Sequence, residues 1–186
     1  MMPIVSAHLR RLLGMALIAT GLTGCAAIIQ PHVGNRAVPQ PKQSVDLARY
    51  AGLWYEVGRY EAPFQKGCEA VTARYTAQPD GSIEVLNSCR QDSVTGPLRS
   101  ATGRATVVPE SGNAKLKVSF FGPFTGDYWV LDHAPDYSWS IVGEGEGRFL
   151  WILSRKAPLG EAAYQALVAR ARKLGYDSSL IRRTRH

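Results

Sequence analysis

Between residues 54 and 155 the sequence repeats one pattern eight times: a short run of alternating apolar and polar residues, followed by turn-forming residues. The runs cover approximately 54–60, 69–77, 82–89, 102–108, 114–121, 127–132, 138–143 and 148–155. A period of two marks a half-buried strand. The spacing leaves no helical crossover between runs, so successive strands pair antiparallel. Eight strands in an up-and-down meander can close into a barrel, which removes both edges and leaves an interior able to hold one small ligand. Beyond the eighth run, Ala163, Leu167, Ala171 and Leu174 recur at helical spacing and Gly175 ends the series. This predicts a helix over 161–174 with its apolar stripe against the outside of the barrel. The expected class is all-β: an eight-stranded antiparallel up-and-down β-barrel with a C-terminal α-helix packed outside.

The first 24 residues differ in kind. Arg10 and Arg11 precede an apolar run, Leu12 to Leu22, too short to cross a bilayer with ease, as in a secretory signal peptide. The run ends in Leu22-Thr23-Gly24-Cys25, which resembles the lipobox of bacterial lipoproteins, in which the Cys is acylated and becomes the mature N-terminus. Ala26 follows where retained lipoproteins carry Asp. The resemblance implies a lipid anchor on Cys25 in the bacterial outer membrane, with the periplasmic face favoured. Residues 25–45, broken by Pro31, Gly34, Pro39 and Pro41, read as a lipidated, flexible tether, and 46–181 as the barrel with its helix. Residues 182–186 carry Arg182, Arg183 and Arg185 and read as a solvated basic tail.

Formal charge is +7, but Arg10 and Arg11 leave with the signal peptide, so 20 basic groups face 15 acidic ones. No aromatic residues interleave the basic cluster, which argues against a nucleic-acid partner. With Cys25 taken by the anchor, Cys68 and Cys89 remain in an oxidising compartment. They flank a hairpin that turns at Pro79-Asp80-Gly81, which brings them together near its base for a structural disulfide.

The strand count, the helix and three ordered motifs resemble the lipocalins, specifically the bacterial lipoprotein lipocalins and their relative apolipoprotein D. Gly52-Leu53-Trp54 matches the first signature, Asp136-Tyr137 the second, and Leu153-Ser154-Arg155 the third. "LKVSFFGPF" (116–124) and "FLWILSR" (149–155) are also similar to the bacterial branch. The approach to Asp136 through Leu131-Asp132-His133-Ala134-Pro135 looks slightly longer than usual. The resemblance implies that Trp54 plugs the closed end and that Arg155 packs over its indole, both structural. Gly52 permits the sharp entry. Glu56 falls on the same face as Trp54 and, being buried, needs an Arg or hydrogen-bond donors, or else a ligand.

Alternation phased on the family pattern sends one set of side chains inward. It comprises Val71, Ala73 and Tyr75, then Val85 and Asn87, then Leu116, Val118 and Phe120, then Tyr128 and Val130, and finally Phe149 and Trp151. This lining is apolar and aromatic and suits an acyl chain, with the phenols of Tyr75 or Tyr128 orienting a headgroup near the mouth. The histidines are His8, His32, His133 and His186, none on an expected strand, which argues against a metal site, a Ser-His dyad or haem ligation. Gly143-Glu144-Gly145-Glu146-Gly147 reads as a turn, since two carboxylates would repel a phosphate. No catalytic residues, metal or cofactor are expected. The expected function is membrane-anchored binding, storage or transport of fatty acids or lysophospholipids in the envelope. The alternative is an envelope protein-interaction module with an incidental barrel. Monomer and homodimer both stay open.

Overall fold

The computed structural model describes residues 33–186; the leader and Cys25 lie outside them. A one-turn helix α1 (Leu47–Tyr50) enters strands β1 (Gly52–Tyr60), β2 (Cys68–Ala77), β3 (Ile83–Gln91), β4 (Leu98–Val107), β5 (Lys115–Phe121), β6 (Phe124–His133), β7 (Trp139–Gly143) and β8 (Leu150–Ser154). Helix α2 (Glu161–Lys173) and a short strand β9 (Ile181–Arg183) follow. Successive strands pair antiparallel, and β1 also pairs with β8, which closes the barrel. Strand β4 starts at Leu98, four residues before the alternation suggested, because Leu98-Arg99-Ser100-Ala101 is wet on its outer face and lines open space on the other.

Local chemistry sets the entry to the barrel. The Asp46 carboxylate accepts the amides of Ala48 and Arg49 at 3.0 and 3.2 Å, which caps α1. Gly52 then turns the chain at φ +92°, a conformation that a side chain would strain. Trp54 drops into the barrel and is fully buried.

Because the meander alternates direction, the loops fall into two sets. The β1–β2, β3–β4, β5–β6 and β7–β8 connections share one end, the mouth. The start of β1, α1 and the other three connections share the closed end, where Val45, Tyr50, Trp54, Ala114 and Tyr137 pack together.

Helix α2 covers the outer face of β1, β6, β7 and β8, where Val57, Leu131, Ile141, Leu150 and Ile152 meet Leu167 and Ala171. The buried stripe is Tyr164, Leu167 and Ala171, and Ala163 is exposed, one residue out of the expected phase. The Tyr164 ring sits where Gly58 presents no side chain: a Cβ there would lie 3.3 Å from it. An alanine leaves no such footprint.

Two further expectations need correction. Residues 33–45 are not a free tether but run down the outside of the barrel from mouth to closed end. Gly34 and Asn35 donate their amides to Gly147 O, Asn35 Nδ2 bonds Leu174 O, and Val45 N reaches Gly112 O. Nor is 182–186 a solvated tail. Strand β2 pairs with β1 only over Gly52–Tyr55, and β9 takes the vacated edge at Gly58–Tyr60. Thr184 is buried and donates to Glu56 Oε1, while His186 Nε2 meets Glu56 O at 2.7 Å. His133, placed in a loop from sequence, is the buried last residue of β6; it stacks on Tyr137 at 4.5 Å and meets Ala134 O and Ser44 O.

The tail is drawn in by Glu69, almost wholly buried on β2. Its carboxylate accepts from the amide and guanidinium of Arg185 at 3.0 Å each and from Arg182. Burial opposes its ionisation, but these donors outweigh burial and hold the carboxyl below its ordinary 4.5. A depressed carboxyl pKa contributes stability above the unfolded-state value, and the contribution is lost as pH falls through the folded value. We expect Glu69→Gln to cost about 2 kcal/mol at pH 7 by denaturant unfolding. The deficit relative to wild type should shrink below the unfolded-state pKa; an unchanged deficit in acid would show that the charge is not what holds the tail.

Candidate functional site

The barrel encloses a cavity of about 1160 Å³ that opens at the mouth, above the range usual for small-molecule sites. Its floor is the Trp54 plug. Trp54 Nε1 donates to Tyr50 O at 2.8 Å, and the Arg155 guanidinium lies 3.8 Å from the indole centroid. Arg155 also donates to Leu53 O at 2.7 Å and to the carbonyls of Arg49, Tyr50 and Ala51. Tyr137 closes the same end: its hydroxyl accepts Asp46 N at 2.8 Å. Asp136 is exposed, and its carboxylate accepts Ser138 N to shape the turn. Among the described residues, the signature positions build the closed end and hold it shut.

On this floor stands a chain of hydroxyls. Ser140 Oγ meets Tyr50 Oη at 3.1 Å, Tyr50 meets Tyr128 at 2.9 Å, and Tyr128 meets Tyr75 at 2.8 Å. Tyr75 and Tyr128 therefore do not stand near the mouth, as their phase alone suggested. β2 descends from the mouth, so Tyr75 falls opposite Gly52 at the closed end, and the phenols satisfy one another. Burial pushes Tyr50 up to about 12 and raises Tyr75 and Tyr128 well above the ordinary phenol value.

The cavity wall contains all twelve residues that alternation turned inward, from Val71 on β2 to Phe149 and Trp151 at β8. To these β4 adds Ala101 and Ala105, small side chains that leave the lumen open. Alanines carry no alternation signal, and nothing in the sequence would have singled them out. Cys68 and Cys89 are joined by a disulfide that ties β2 to β3 inside the wall near the mouth. A 21-residue separation makes such a link worth about 3 kcal/mol.

A polar belt crosses the upper cavity. The β1–β8 register slips between Glu56 and Gly58, and this bulge turns Arg59 inward instead of Gly58. Arg59 is fully buried and donates to Glu56 Oε1 at 2.8 Å, Glu61 Oε1 at 3.0 Å and Cys68 O at 3.2 Å. Gln65, from the β1–β2 loop, donates to Glu56 Oε2 and accepts Trp151 Nε1, both at 2.8 Å. Glu56 is thus paired on every side. Sequence alternation could not locate Arg59 or Gln65, since one follows a bulge and the other a loop. In the β7–β8 turn the buried Glu144 carboxylate accepts the amides of Glu146, Arg148 and Phe149, so the loop's own side chain fills its anion-binding amides.

Apolar walls, a neutral phenolic floor and a fixed polar belt below the mouth can hold an amphiphile lengthwise. Two outcomes test this construction. Arg155→Lys keeps the charge but loses the multiply donating fork, and we expect about 2 kcal/mol lower unfolding stability; no loss would mean that charge alone holds the plug. In an ultraviolet titration, the three cavity phenols should stay protonated until the protein unfolds or pH passes about 12, whereas a phenol free in water ionises near 10. Complete titration of the folded protein near pH 10 would contradict their burial.

Comparison with known proteins agrees with this architecture. A family model described as "Lipocalin-like domain" matches residues 45–186. Temperature-induced lipocalin-1 of Arabidopsis thaliana is 39% identical over 76% of this chain and 80% of its own length. The outer membrane lipoprotein Blc of Escherichia coli K12 is 37% identical over 72% of this chain and 75% of its own. Mouse apolipoprotein D is 33% identical over 65% of this chain and 62% of its own. Among solved structures, insecticyanin from the tobacco hornworm superposes with a TM-score of 0.65 at 20% identity, covering 83% of this chain and 88% of that one, a likeness of fold. The chain therefore belongs to the lipocalin family, as a bacterial member related to the Blc lipoproteins and apolipoprotein D, and is a binding protein rather than an enzyme.

Proposed function

We propose that this lipocalin binds, stores or transports fatty acids or lysophospholipids in the bacterial envelope, held at the outer membrane by a lipid on Cys25. The observation that carries the reading is the cavity of about 1160 Å³, whose walls are mostly apolar, with a phenolic floor and a polar belt of Glu56 and Gln65 among its polar groups. An acyl chain entering it leaves water at about 0.8 kcal/mol per methylene, and the belt lies at the height where a polar headgroup would follow. The names of the related lipoproteins support the location, with the periplasmic face favoured. The open interior supports a carrier over a protein-interaction module with an incidental barrel.

Native mass spectrometry with lipid extraction tests the ligand class on protein purified from membranes. A fatty acid or lysophospholipid should co-purify stoichiometrically. Trp151→Ala, which removes one aromatic wall and the partner of Gln65, should weaken retention about tenfold. An empty protein that refuses added amphiphiles at micromolar concentration would sink the carrier reading.

A further inference from the structure

The large apolar side chains most exposed on this protein are not scattered. Besides Val33, 45% exposed where the described chain begins, they are Phe64 at 61%, Val94 at 38%, Leu98 at 60%, Phe121 at 77% and Phe124 at 79%. Phe64 belongs to the β1–β2 loop, Val94 and Leu98 to the β3–β4 loop and its edge, and Phe121 and Phe124 to the β5–β6 hairpin. All five therefore stand on the mouth, where Phe64 also stacks on Phe149 at 5.5 Å. Lys66, Arg90 and Arg99 are exposed at the same end and make no ion pair among the described residues. Apolar side chains beside three unpaired cations, which outnumber the one unpaired carboxylate of the β3–β4 loop, Asp92, fit an anionic lipid surface, and an apolar rim of this kind marks an interaction site.

The chain's own path names the surface. Gly34 and Asn35 bond Gly147 in the β7–β8 loop, so the described chain begins at the mouth end. Eight residue-to-residue steps lead from Cys25 to Val33 and span at most about 28 Å when fully extended. The nine residues of β1 alone rise about 30 Å. A lipid on Cys25 therefore lies within reach of the mouth end, and the closed end is the farther of the two from it.

We propose that the rim formed by Phe64, Val94, Leu98, Phe121 and Phe124 docks on the phospholipid leaflet that carries the anchor, opening the cavity onto the bilayer. An acyl chain then passes between leaflet and cavity without crossing bulk water. The orientation rests on the reading of Cys25 as acylated. Rim burial and acylation are read by separate measurements.

The full-length lipoprotein is reconstituted in phosphatidylethanolamine–phosphatidylglycerol vesicles with or without nitroxide-bearing lipid. With Cys25 acylated and Cys68 bonded to Cys89, an introduced cysteine is the one free thiol and takes an environment-sensitive fluorophore. Phe124→Cys reports the mouth, and Pro79→Cys, in the β2–β3 turn, reports the closed end. Lipid nitroxide should quench the label at 124 at least about threefold more than at 79. Adding Phe64→Ser and Phe121→Ser, both exposed, should cut that difference at least about twofold. The intact mass of the same sample reads acylation. An acylated chain whose label at 124 stays in water, or is quenched no more than at 79, overturns docking and leaves the anchor standing. Water exposure at 124 with cross-linking to an envelope protein assigns the rim to a protein partner instead. A chain without acyl mass overturns the anchor, and the docking proposal falls with it.

Discussion

Everything in the barrel is hung from one cation. Arg155 lies over the Trp54 indole and donates to the carbonyls of Arg49, Tyr50, Ala51 and Leu53. Those carbonyls belong to the end of α1 and the chain entering β1, ahead of the first residue that pairs with β8. The guanidinium thereby satisfies an otherwise wet stretch of backbone and clamps the first strand to the last. Without a floor the meander would be an open tube with water in its core, and the phenols above it would have no reason to pair with one another.

The two ends of the molecule solve opposite problems. At the closed end, aromatic rings stack and their hydroxyls pair, so polar atoms disappear from the cavity surface: Tyr50 lies 4.9 Å from Trp54 and 5.7 Å from Tyr75. Toward the mouth, charge is kept but tied down, with Glu56, Arg59 and Gln65 bonded to one another and Arg59 also to the carbonyl of Cys68. A buried ion pair contributes little net stability, yet removing one partner is costly. Such a belt fixes geometry more than it adds affinity.

Much of this was legible from sequence because period-two patterning and turn residues act locally. Eight strands, the outer helix, the plug and its cation, the hairpin disulfide and the inward phase of twelve wall residues all follow from patterns within a strand or from resemblance carried by short motifs. What escaped depends on distant partners. The bulge after Glu56 is imposed by pairing with β8, and it alone brings Arg59 inside. Tyr164 replaced Ala163 on the packed stripe because a glycine on another strand makes room. Arg182 and Arg185 read as solvated because their counter-charge, Glu69, lies more than a hundred residues away.

Strand β1 is shared by three partners, with β8 along one edge and β2 and then β9 along the other. Only β2 is close to it in sequence. Thr184 meets Glu56 across 128 positions, and Arg155 meets Leu53 across 102. Pairings so remote require large loops to close before any contact rewards them, which places barrels of this kind among slow folders, on a scale of about milliseconds to seconds. A chain made or exported from its N-terminus carries a half-paired first strand for most of its synthesis. The wall becomes a closed surface only when its last residues arrive.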